Sequence, residues 1–296
     1  MKSEKNILIA FILNLGFSIF EFFGGIFTNS VAIISDAIHD IGDAISIGIS
    51  FFLEKTSKKK PNDQYTYGYV RYSIIGSLIT TVILLVGSIF VVYNAVIRIM
   101  NPVNINYNGM IIFAVIGAII NFLAAYFTKD GDSLNQKSVN LHMLEDVLGW
   151  VVVLIGAFVM KFTNIRVIDP VLSILVALFI FKQAFNNLKI IIDLFLEKTP
   201  NDISIEKLKE HILKIKGVED VHHIHIWSID GYNNFATMHV VIESKNKKIK
   251  EEVKNELKGH GIIHSTIEFE SVDEHCLEQE CVLDSKHNHK CHHHHH

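Results

Sequence analysis

A chain of 296 residues that is 49% hydrophobic and only 20% charged, with a mean hydropathy of +0.31, is more apolar than a soluble enzyme of this length. Its formal net charge of −4 offers no basic surface for nucleic acid, and no aromatic–basic interleaving suggests one. The cysteines Cys276, Cys281 and Cys291 all fall in the C-terminal tail, which excludes a disulfide scaffold and suits a reducing compartment.

Apolar runs able to cross a hydrocarbon core of about 30 Å recur at 7–27, 31–53, 72–99, 109–128, 139–161 and 167–192, predicting six transmembrane helices. The first run contains Asn14 and Glu21 and has no small-residue cleavage site, so it reads as a span rather than a secretory signal. Lys2 and Lys5 precede the first span, Lys55, Lys58, Lys59, Lys60 and Arg71 flank the second connection, and Lys129 and Lys137 sit on the fourth. The other connections are poor in basic residues apart from Lys161 and Arg166, so the positive-inside bias places both termini in the cytoplasm of a cell-membrane protein. Asn101-Pro102 and Asp169-Pro170 mark helix boundaries. Gly24, Gly25, Gly42, Gly48, Gly117 and Gly149 are expected to give small faces for helix packing, and Asn14, Asn121, Ser35 and Ser46 to make hydrogen bonds between helices.

From about residue 199 the composition turns soluble. Ile203–Lys214 has helical periodicity opened by Asp202 or Ser204. Val218–Ile229 and Phe235–Ile242 alternate as strands joined through Asp230-Gly231-Tyr232-Asn233-Asn234; Lys247–Lys258 is an amphipathic helix, and Ile262–Phe269 a closing strand. The expectation is a membrane domain over 1–198, a cytoplasmic αββαβ domain over 199–272 and a Cys/His-rich tail over 273–296, whose closing run His292–His296 matches a purification tag and is set aside. A three-stranded domain this small gains from pairing with a second copy.

Two spans carry a histidine followed four residues later by an aspartate, His39/Asp43 and His142/Asp146. An ionisable group at the bilayer centre costs roughly 2.5–3.5 kcal/mol on insertion scales, so matched pairs need a compensating partner. Positions i and i+4 share a helix face. Two such helices side by side present two imidazoles and two carboxylates around one point, a tetrahedral set for a divalent cation such as zinc. That pattern points to a metal transporter. Asp36 and Asp40, on the same span as His39, offer an alternative ligand pair, and Asp36 is otherwise a supporting or proton-path residue; Glu21 and Asp169 are further acids whose role the sequence leaves open. An intramembrane metalloenzyme would need a motif such as His-Glu-x-x-His, which is absent. A metal-sensing or channel-like protein is the remaining alternative.

The segment Asn29–Asp43 with its Ser-Asp-Ala-Ile-His-Asp core, the run His142-Met-Leu-Glu-Asp146, the stretch Gly217–Ser228 and the closing His264–Glu270 together resemble the cation diffusion facilitator family of zinc transporters. The resemblance reaches from the first span to about residue 272. It implies a multi-pass α-helical membrane protein with a metallochaperone-like α+β cytoplasmic domain, working as a homodimeric Zn2+/proton antiporter. It also implies His39, Asp43, His142 and Asp146 as the transport site, in a zinc-preferring arrangement, while imidazole and carboxylate ligands by themselves leave Cd2+, Co2+ or Fe2+ as alternative cargo. In the cytoplasmic domain it implies His222, His239, His264 and Glu270 as regulatory zinc ligands. Adjacent strands would let these converge, and strict alternation would set His222 with Ile224 on one face and His223 with His225 on the other. Cys276 and Cys281 are candidate supplementary ligands. The connection Gln64–Arg71 lacks the histidine that gives some relatives an extra metal site, so no such site is expected there.

Overall fold

The computed structural model describes residues 2–28, 31–101, 107–131, 133–163, 168–244 and 247–272; at 2, 24–28, 31–39, 107, 110, 160, 168–169, 172–173 and 176 the description is of the backbone alone. Cys276 and Cys281 lie outside the described residues. The chain divides into two compact units, Met1–Leu196 and Glu197–His296.

Among the described residues the first unit holds six helices, α1 (Lys2–Thr28), α2 (Val31–Ser57), α3 (Arg71–Met100), α4 (Tyr107–Thr128), α5 (Leu134–Thr163) and α6 (Ile168–Phe195). Even α4, at 22 residues, reaches about 33 Å, enough to cross a bilayer core. Among the described residues α1, α3, α4 and α5 each contain a sufficiently long apolar stretch on their own. Helix α2 matches them in length but carries Asp40, Asp43 and Glu54. Pro170 falls in the first turn of α6, where its missing N–H leaves no intrahelical bond unmade.

Polarity in this unit runs opposite to that of a soluble bundle. Phe90, Phe122 and Phe158 are each more than half exposed, while Ser50, Ser77, Thr80, Asn135 and Ser138 are fully buried. The buried groups tie helices together. Ser50 bonds Thr80 at 2.7 Å, Asn135 Nδ2 donates to the Ser50 carbonyl at 2.8 Å, the Ser77 and Ser138 hydroxyls meet, and Asn187 Nδ2 donates to Thr81 and Ser138. Without water, every such donor needs a partner inside the protein. The Glu54 carboxylate at the end of α2 accepts from Ser3 at 2.9 Å, Ser73 at 2.8 Å and Ser133 at 3.1 Å. The beginnings of α1, α3 and α5 therefore meet the end of α2 at one end of the bundle.

Two expectations about packing are corrected. Asn121 donates to the Gly117 carbonyl of its own helix, while Ser18 donates to the Asn14 backbone carbonyl at 2.8 Å and stands 3.5 Å from the Asn14 side-chain oxygen, so the contacts of these amides run along a helix rather than across. Short polar side chains reach the neighbouring turn before they reach another helix. Among the helical glycines, Gly48 lies against the Phe11 ring and Gly117 against the Trp150 indole, where an added Cβ would come within 2.6 Å. Gly42 and Gly149 have open space beside them and are not close-approach sites.

The second unit runs α7 (Ile205–Leu213), β1 (Val218–Ser228), β2 (Asn234–Ile242), α8 (Lys247–Gly259) and β3 (Ile262–Ser271), in the expected αββαβ order. Ser204 Oγ caps α7 by accepting from the Lys207 amide. The sheet order is β1-β2-β3, with β1 antiparallel and β3 parallel to β2. Asp230 accepts from the amides of Tyr232 and Asn233, and Gly231 takes a φ of +89° that closes the turn. Leu208 and Ile212 of α7 and Val253 and Leu257 of α8 pack against Val221, Ile226, Met238 and Val240 on one sheet face. The helices thus cover one face and leave the histidine-bearing face to the other side.

Candidate metal centres

Asp43 lies 12 residues into α2, about 18 Å along a 27-residue helix, so it sits near the helix midpoint. His142 and Asp146 lie in the first half of α5, one turn apart, and face it. One ligand atom from each of Asp43, His142 and Asp146 falls within 4.8 Å of the other two. Asp43 and His142 are 5% and 3% exposed. Nε2 of His142 stands 3.7 Å from Asp43 Oδ2, and neither ring nitrogen makes a hydrogen bond. A buried imidazole with two unbonded nitrogens between carboxylates is poised to take a metal on a lone pair or a proton. His39 lies one turn before Asp43 on α2, but its side chain, like those of Asp36 and Asp169, is outside the described residues. Asp40 is half-buried, and Glu21 is buried in α1.

Glu145 is an addition to the expected set. Its Oε2 lies 4.0 Å from His142 Nδ1, bringing a third carboxylate to the site. Its signal in the sequence is the i+3 spacing from His142, which the His-x-x-x-Asp pairing does not include.

In the second unit, His222, His239 and Glu270 likewise place one ligand atom each within 4.8 Å of the others. His239 Nδ1 bonds one Glu270 oxygen, and His222 Nε2 lies 3.4 Å from the other with no hydrogen bond between them. That donor set of two imidazoles and a carboxylate fits zinc. His222 Nδ1 is held by Asp220 at 3.1 Å, and His239 Nε2 faces Glu268 at 3.6 Å. Burial tends to raise the Asp220 carboxyl, but the Val221 amide, the Lys209 ammonium at 3.4 Å and His222 outweigh it and hold the group below its ordinary value.

Strict alternation fails on β1. His222 pairs with His239 and His225 with Thr237, so three steps on β1 match two on β2, and His223 takes a φ of +53°. This bulge puts His222 and His225 on the same face, where His223 stacks on His239 at 4.9 Å, while Ile224 packs toward the core. The pairing of His222 with Ile224 on one face is therefore corrected. The expected convergence of His264 is corrected too. It pairs with Phe235, four residues along β2 from His239, which is about 13 Å at strand rise.

Residues 7–196 match the family model described as the cation efflux transmembrane domain, and residues 200–272 match the cation efflux protein cytoplasmic domain. The chain is 32% identical over 278 residues to a cadmium, cobalt and zinc/H(+)-K(+) antiporter of Bacillus subtilis, covering 91% of this chain and 89% of that protein. It is 31% identical to the metal cation efflux system protein CzcD of Cupriavidus metallidurans, with 90% and 87% covered, and 30% identical to the zinc transporter ZitB of Pectobacterium atrosepticum, with 93% and 88% covered. The chain belongs to the cation diffusion facilitator family and is a membrane transporter for the efflux of divalent metal cations.

Proposed function

We propose that this protein exports Zn2+ in exchange for protons by alternating access, as a homodimer with both termini in the cytoplasm. The observation that carries the reading is the convergence of Asp43, His142 and Asp146 inside the bundle, with His142 free of hydrogen bonds on both nitrogens. His39, one turn from Asp43, supplies the fourth ligand.

Coupling follows from charge. Asp43, Glu145 and Asp146 around one imidazole gather carboxylates in a buried place that calls for a counter-charge. Either a divalent cation or protons supply it, and each excludes the other because a ligating histidine must be unprotonated. Zinc loads from the cytoplasm, protons load from the far side, and the bundle interconverts around a midplane site. The names of the relatives, which include zinc, cadmium and cobalt, support the same borderline metals as cargo here.

His222, His239 and Glu270 would hold a resident regulatory zinc on the sheet face that α7 and α8 leave uncovered, with dimer contact through the same unit. Cys276 and Cys281 would add ligands from the tail. The test is zinc flux in proteoliposomes under an imposed pH gradient. Flux should follow the gradient and be lost in His142→Ala; flux that ignores the gradient, or persists in that variant, would contradict the reading.

A further inference from the structure

The second unit carries another cluster on the opposite side of its sheet. His211 belongs to α7, Glu256 to the last turns of α8, and His260 follows α8 directly. His211 Nδ1 lies 3.0 Å from Glu256 Oε1, His260 Nε2 lies 3.1 Å from His211 Nδ1, and His260 Nε2 lies 3.3 Å from Glu256 Oε1. The same three atoms recur in all three distances, so they form a nearly equilateral triangle.

Hydrogen bonds close at most two of this triangle's three edges. A single imidazole nitrogen donates or accepts but does not do both, so His211 Nδ1 cannot bond Glu256 as a donor and His260 as an acceptor at once. Every tautomer leaves at least one edge unbonded. A cation removes the conflict by letting all three atoms act as lone-pair donors. Zinc bonds of about 2.0–2.1 Å at tetrahedral angles require ligand atoms about 3.3 Å apart, close to the observed edges. The two-imidazole, one-carboxylate set suits a zinc-class ion and not Mg2+, which prefers octahedral oxygen. The side chains of His211, Glu256 and His260 are 46%, 36% and 23% exposed, leaving room for water as a fourth ligand.

The frame is already set. The His260 amide bonds the carbonyls of Glu256 and Leu257, Glu256 and His260 share a face one turn apart, and Leu208 and Ile212 of α7 pack in the same core as Val253 and Leu257 of α8. We propose that His211, Glu256 and His260 form a second zinc-class binding site in the cytoplasmic unit, bridging α7 to the end of α8 and separate from the triad on the outer sheet face.

The test is residue-specific footprinting of the full chain in detergent. Imidazole acylation by diethyl pyrocarbonate is read peptide by peptide, with Zn2+ alone, Mg2+ alone or neither. Zinc at ten times its dissociation constant should slow modification of His211 and His260 about tenfold, and Mg2+ should not. His260→Gln should remove the protection at His211, and His211→Gln that at His260, while protection at His222 and His239 persists. Equal modification of wild-type His211 and His260 with and without zinc would overturn the proposal, whether or not the variants fold. So would equal protection by Mg2+, or protection of His211 that survives His260→Gln.

Discussion

His142 and His222 stand in candidate ligand sets of similar composition, but their surroundings differ in one respect. His142 is enclosed by carboxylates and makes no hydrogen bond at either nitrogen. His222 is gripped at Nδ1 by Asp220, and that aspartate is itself held by Lys209 and the Val221 amide. Orienting partners raise affinity and slow exchange, whereas a ligand without one releases its metal at less cost. The contrast fits the proposed division between a site that turns over its cation in the first unit and one that retains it in the second.

The largest effect should come from breaking the membrane triad. Asp43→Asn and His142→Ala each remove a ligand and should lower zinc flux at least about 100-fold, measured in proteoliposomes, with metal on the sheet triad retained. Next is Glu270→Gln, which takes the shared carboxylate from His222 and His239. Zinc affinity of the cytoplasmic unit should fall about 10–100-fold by equilibrium dialysis, with residual flux remaining. Removing the orienting partner alone sharpens the comparison. Asp220→Asn should weaken the same site by about tenfold and have no counterpart in the membrane. The Asp220 carboxyl is held low, so its stabilisation is present above the unfolded value of about 3.9 and lost as pH falls through the folded value. The substitution should therefore flatten the acid limb of the unfolding profile below about pH 4. The smallest effect belongs to His264→Gln, which should change zinc affinity by less than about twofold, since about 13 Å of strand separates it from His239.

Much of this arrangement was legible in residue order because helices repeat their geometry faithfully. One turn carries His142 to Asp146, so spacing alone aligned that pair, and apolar runs marked the helices of the first unit even where α2 carries acids. The strands were less transparent. A single residue at positive φ, His223, rephased the face of β1, and nothing in a run of His-His-Ile-His announces a bulge. Parallel register then fixed the distance of His264 from the triad, a long-range property that no local pattern carries. Glu145 was visible but unneeded by the pairing rule, and the in-helix bonds of Asn14 and Asn121 depend on side-chain reach rather than sequence spacing between helices.

Anomalous diffraction at the zinc edge, on crystals of the full chain grown with zinc, tests the membrane site most directly. A peak within about 2.0–2.2 Å of Asp43 and Asp146 oxygens and a His142 nitrogen is the expected result. A bundle in which zinc density lies elsewhere among the helices while those three side chains stay apart would contradict it.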